Sequence, residues 1–149
     1  MTIDASSPPA LARFVRDQRR GVVATVSAAG HPEAALVGLT ALDDGTLIFD
    51  SHQSFRKVAN LQAASTVAVV VGLDGQVSVQ VEGTARIAVA PDERRALAGA
   101  YLDQFPGAQV MHEEFVVIAV RPKWVRVYDA SSDPATVVEA RWAEEERAD

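Results

Sequence analysis

The sequence contains no cysteine, which excludes disulfides, thiolate metal sites and cysteine nucleophiles together. Its first residues, Met1 to Pro9, hold no apolar signal core, and no apolar run approaches the roughly 20 residues that span a bilayer. A cytoplasmic protein without a membrane partner is expected. Histidine is scarce: His31, His52 and His112 lie far apart without metal-ligand spacing, so no metal site is expected. The glycines of VEGTA and AAGHP make no phosphate-binding glycine loop, and no serine has a neighbouring base to suggest a hydrolase. Basic residues are outnumbered, giving a formal net charge of −6, which argues against a nucleic-acid partner. There is no internal repeat and no domain boundary. The chain reads as a single domain over 1–149, with a core over about 10–130 and a tail over 131–149.

Valine, in contrast, is abundant: 22 of 149 residues, and β-branched side chains favour strands. Strand-like runs cover Val22 to Ser27, Ala34 to Ala41, Thr46 to Asp50, Thr66 to Val71 and Phe115 to Tyr128, the last interrupted at Arg121-Pro122. Val77, Val79 and Val81 alternate with Ser78, Gln80 and Glu82, the period of a half-buried strand that can run past a bend at Gly83. Gly38 is read as a second bend. Helical spacing marks Ala10 to Arg19, Ser54 to Ala64 with Phe55, Val58 and Leu61 on one side, and Pro91 to Phe105. The tail offers one short strand at Val137-Val138 and ends in a solvated EEERAD. Six strands with three helices between them suit an antiparallel barrel better than a βαβ sheet.

Chemistry concentrates in Asp50-Ser51-His52-Gln53-Ser54-Phe55-Arg56-Lys57. With Ser54 as a helix cap, Arg56 and Lys57 fall in the first turn, where cations oppose the helix dipole. The helix at Pro91 does the reverse, with Asp92 and Glu93 there. Two readings stay open. The pair is solvated at a cost of about 0.3–1 kcal/mol per charge. Alternatively, a bound phosphate accepts from the free N–H groups, pairs with Arg56 and Lys57, and takes hydroxyl donors from Ser51 or Ser54. His52, in the same loop, is read as exposed.

A strand ending in aromatic-x-Ser/Thr, a short loop and Arg-Lys opening a helix resembles the pyridoxamine 5'-phosphate oxidase-like split barrel. Phe49, Asp50, Ser51 and Arg56-Lys57 match that spacing without a gap. Val79-Gln80-Val81-Glu82-Gly83 is similar to the family's strand ending in Val-x-Gly, and RPKWVRVYD (Arg121 to Asp129) is similar to its last barrel strand. The resemblance implies a mainly β, six-stranded antiparallel split barrel with peripheral helices. It further implies a homodimer with flavin mononucleotide (FMN) at the interface and a redox activity on a small-molecule substrate. Ser51, Ser54, Arg56 and Lys57 would hold the phosphate; Ser78 and Thr40 would face the ribityl chain or ring. Trp124 is expected to pack at the barrel end instead of stacking on flavin.

Two departures from the oxidase stand out. Ser78 replaces its glutamine, and its C-terminal Arg-x-His substrate element has no counterpart from Arg121 to Asp149, which sets pyridoxamine phosphate oxidation aside. A deazaflavin reductase and a non-catalytic flavin or heme carrier or sensor are the alternatives on this scaffold.

Overall fold

The computed structural model describes residues 3–144 and contains eight strands and three helices. The strands are β1 (Arg20–Val26), β2 (Pro32–Gly38), β3 (Thr40–Ala41), β4 (Leu47–His52), β5 (Thr66–Val71), β6 (Val77–Ile87), β7 (Phe115–Asp129) and β8 (Thr136–Arg141). The helices are α1 (Pro8–Gln18), α2 (Arg56–Ala63) and α3 (Pro91–Gln104). All pairings are antiparallel, in the order β2-β1-β5-β6-β7-β4-β3, with β8 added to the second half of β7. The strands at the two ends, β2 and β3, are separated in sequence only by Leu39. A sheet whose first and last strands share a one-residue link has to curl until its edges approach. The result is a split barrel.

Strand number is where the expectation of six needs correction. The run Ala34 to Ala41 breaks at the fully buried Leu39, and the valine pair in the tail extends to a six-residue strand. The tail is also better fastened than expected. Beyond β8, the Trp142 indole N–H donates to the Ala5 carbonyl at 2.9 Å. Most of EEERAD, residues 145–149, lies outside the described residues.

The barrel is filled by Val23, Phe49, Val69, Val71, Val79, Val81 and Val127 and plugged by Leu11, Ala12 and Val15 of α1. Helix α1 begins at Pro8, two residues before the expected start, because Ser7 caps it: its hydroxyl accepts from the Ala10 N–H at 3.2 Å. Helix α3 covers the opposite face of β4 and the first half of β7, packing Leu97, Ala98 and Tyr101 on Ile48, Val117 and Ala119.

The interruption at Arg121-Pro122 is a bulge and not a break. Glu82 pairs with Trp124 but Gly83 pairs with Pro122, so Lys123 is the extra residue. A Cβ on Gly83 would lie 2.4 Å from the Arg121 carbonyl oxygen, which is why glycine stands there. The insertion shifts the inward phase of β7 from Ile118 and Val120 to Val125 and Val127. Trp124, Arg126 and Tyr128 are thereby turned to the outer face, so Trp124 does not fill the barrel end as expected. That outer face is uncovered by α3 across β1, β2, β5 and β6. There Leu36 pairs with Val22 and Val22 with Val70, and Leu36 and Val70 are exposed by 57% and 36%.

Candidate functional site

Strand β4 alternates: Phe49 and Ser51 point into the barrel, whereas Ile48 and Asp50 point toward α3. At the barrel mouth the chain leaves β4 and turns into α2. Phe55, not Ser54, occupies the cap position, and no side chain caps the helix. The expected Ser54 cap is therefore corrected. Phe55 is also 54% exposed, so it does not share the buried face of Val58 and Leu61. The Val58 N–H turns back to the Phe55 carbonyl at 3.1 Å, and the N–H groups of Arg56 and Lys57 precede any intrahelical acceptor.

Ser54 is engaged elsewhere. Its hydroxyl lies 2.7 Å from His52 Nδ1, and its own N–H donates to that nitrogen at 3.2 Å. The other ring nitrogen, Nε2, lies 3.5 Å from the Glu114 carboxylate. The imidazole is wedged between Phe55 and Phe115, each with its ring centroid 5.5 Å away, and is not the free loop residue expected. A serine with a neighbouring base is thus present after all. Because Nδ1 also accepts the N–H of the same serine, the arrangement is a local turn that locks the loop.

Lys57 reaches back over this turn. Its Nζ has one hydroxyl partner, Ser51 Oγ at 3.4 Å, and stands 4.9 Å from the Phe55 ring centroid. Burial holds its ammonium pKa below the usual value, and the Asp50 charge partly offsets this. Asp50 moves the other way. Burial raises its carboxyl, while a hydrogen bond from Tyr101 and the charge of Lys57 pull it down. The Tyr101 hydroxyl also lies 3.2 Å from the Gly38 carbonyl, and the same contact keeps Gly38 free of a Cβ.

Arg56 points across the cleft to β2, where its Nη1 meets Glu33 Oε2 at 2.9 Å. The other Glu33 oxygen accepts from Asn60 Nδ2 at 2.7 Å, and the same nitrogen donates to Thr25 at 2.9 Å. These contacts hold the Glu33 carboxyl below its ordinary range, Asn60 first and Arg56 second. Val23, Thr25 and Ala35 complete a cleft of about 280 Å³ with Glu33, Arg56 and Lys57. Glu33 and Asn60 were not among the expected site residues. Only their separation of 27 positions hid them; both are polar residues on otherwise apolar element faces.

Ser51, Ser54, Arg56 and Lys57 are therefore gathered at one helix N-terminus, with Ser51 and Lys57 in contact. Thr40 and Ser78 are not brought there by this chain. Thr40 is buried and its hydroxyl donates to Gln104 Oε1 at 2.8 Å; Gln104 in turn donates to the carbonyls of Leu39 and Arg16. This cluster borders a separate cavity of about 440 Å³ under α1 and α3. Ser78 sits on the outer sheet face in a depression of about 250 Å³ with Gln80, Arg126 and Tyr128. Among the described residues no three His, Asp or Glu side chains converge as metal ligands, and no helix is long and apolar enough to cross a membrane.

Solved structures share this architecture. A heme-binding protein from Mycobacterium smegmatis superposes with a TM-score of 0.75 at 21% identity, covering 91% of this chain and 58% of that one. A pyridoxamine 5'-phosphate oxidase-related, FMN-binding protein from Nostoc punctiforme gives 0.70 at 13% identity, covering 92% and 89%. A conserved hypothetical protein from Mycobacterium tuberculosis gives 0.71 at 21%, covering 81% and 83%. No curated protein matches the chain. These identities speak for the fold alone. The sequence pattern of pyridoxamine 5'-phosphate oxidase, however, matches residues 7–129, which takes in the barrel from α1 to the end of β7. The chain belongs to the pyridoxamine 5'-phosphate oxidase-like family.

Proposed function

We propose that this protein binds FMN, with the flavin phosphate at the N-terminus of α2, and acts as an oxidoreductase on a small molecule. The observation that carries the reading is Lys57. A partly desolvated cation in the first turn of a helix, offset only by the Asp50 charge, the Phe55 ring and one long hydroxyl contact, gains further from a phosphate beside it. The N–H groups of Arg56 and Lys57 and the Lys57 ammonium would hold the phosphate, joined by the Ser51 hydroxyl if it turns from the His52 carbonyl, to which it donates at 3.0 Å. Arg56 would add a contact from the cleft wall, and Asp50, fixed by Tyr101, would keep Lys57 in place. Bound flavin supplies hydride transfer; the protein supplies position and electrostatics.

A homodimer belongs to this reading. The cleft is open to solvent, and Arg56 on its wall is largely exposed, which leaves room for a second chain to cover a bound flavin. The exposed apolar sheet face around Val22, Leu36 and Val70 is suited to a second copy.

The heme-binding relative gives a second reading on the same barrel. The cleft lining favours flavin, because Arg56 and Lys57 beside the N-terminus of α2 suit the phosphate of a flavin nucleotide. The test is the absorption spectrum of the purified protein before and after adding FMN. Flavin bands that persist through desalting support the proposal. A deazaflavin band or a Soret band, with no FMN retained, refutes it.

A further inference from the structure

The cleft that should attract an anion contains a carboxylate. Glu33 stands on β2 opposite Thr25, with its side chain 27% exposed, and its two oxygens engage Arg56 and Asn60 at 2.9 and 2.7 Å. Asn60 is 6% exposed and is tied to Thr25, so Glu33 is held in place from α2 and β1 together. Arg56, by contrast, is 85% exposed and meets Glu33 through one nitrogen. The rigid partner of this ion pair is the carboxylate, and the movable one is the guanidinium.

We propose that Glu33 is a built-in competitor for the phosphate site, holding Arg56 off the ligand until a phosphate ester draws the guanidinium away. This inference rests on reading the α2 cleft as a phosphate site. In the free chain the cleft presents Lys57 and an ion-paired Arg56, not two unpaired cations. A phosphate entering beside Lys57 has to take Arg56 from Glu33 while Glu33 stays anchored by Asn60. The competition weakens every phosphate-bearing ligand by the same factor. A small free anion is then held poorly, and a ligand has to add contacts beyond its phosphate. Glu33 thus lowers the affinity for all phosphate-bearing ligands without changing their order, so that ligands with further contacts, such as a flavin nucleotide, are the ones still held tightly.

The experiment is a paired titration of wild type and Glu33→Gln with FMN, riboflavin and inorganic phosphate. The phosphate arm is followed through the backbone amide NMR signals of residues 55–58. Glutamine keeps an acceptor for Asn60, so the barrel contact survives while the charge is lost. The expected result is affinity for FMN and for inorganic phosphate raised about two- to five-fold, the range of a solvent-screened ion pair, with riboflavin unchanged. The gain should disappear when Arg56→Ala is added. Unchanged or weaker binding of both phosphate-bearing probes by Glu33→Gln overturns the proposal, since Glu33 would then orient Arg56 for the ligand. A gain with inorganic phosphate while neither protein binds FMN upholds the competitor and removes the flavin reading. Binding of neither FMN nor inorganic phosphate by either protein overturns both.

Discussion

Replacing Lys57 by methionine separates a ligand-serving cation from a structural one. Methionine keeps an unbranched apolar stem and removes the charge. In the free protein two effects oppose each other. Relief of a cation in the first turn of α2 is worth about 0.3–1 kcal/mol. Against it, the half-buried Asp50 loses its nearby countercharge, and its carboxyl moves further up. The Ser51 contact, at 3.4 Å, contributes little. The net change should stay within about 1 kcal/mol, which for a chain of this size is roughly 4 °C or less in Tm. With FMN the balance is one-sided. A charge-assisted hydrogen bond to phosphate is worth about 1.5–3 kcal/mol, and partial solvation places Lys57 toward the lower end. FMN affinity should therefore fall about 10- to 30-fold, while riboflavin, which has no phosphate, binds both proteins alike. Calorimetric titration and thermal unfolding of the ligand-free proteins give both numbers. Unchanged FMN affinity in a folded variant refutes the phosphate role; loss of the fold refutes the claim that Lys57 serves the ligand.

Other outcomes follow from the same geometry. Val70→Glu places a charge at the centre of the exposed sheet face and should convert a dimer into a folded monomer, as read by sedimentation; an unchanged dimer assigns the interface elsewhere. Thr40→Val leaves Gln104 Oε1 without its hydroxyl donor and should cost about 1–3 kcal/mol by denaturant unfolding with FMN affinity intact; loss of FMN binding in the folded variant would return Thr40 to the cofactor site. The Glu33 carboxyl is lower in the folded chain than in the unfolded one, so its stabilisation is present above the unfolded value and lost as pH falls through the folded one. Wild type should therefore melt above Glu33→Gln at neutral pH, and the gap should close as pH falls below the ordinary glutamate range and through the lowered folded-state value; a gap that persists in strong acid contradicts this linkage.

Much of the barrel was legible because its strands carry local patterns. Thr66 to Val71 matches β5 end to end, and the alternating valines with the bend at Gly83 appear as β6 and its bulge partner. Phase changes were harder to read. The extra Lys123 looks in sequence like a broken strand, and Leu39 divides what reads as one run, because both depend on partners far along the chain. The loop motif placed Ser51, Arg56 and Lys57 together, since its spacing spans a single turn. Local spacing could not show that Ser54 turns to His52, that Gln104 takes Thr40 from 64 positions away, or that Glu33 faces Arg56 from another strand. The first is a local turn whose partner the spacing leaves open, and the other two are made by the packing of distant elements and not by the segment itself.

The most direct test of the phosphate site is to follow the backbone amide NMR signals of the protein as FMN is added, with riboflavin as the control. The account predicts the largest shifts at the Arg56 and Lys57 amides with FMN and their absence with riboflavin. FMN binding whose largest shifts fall around Thr40 and Gln104, or that riboflavin reproduces at α2, would contradict it.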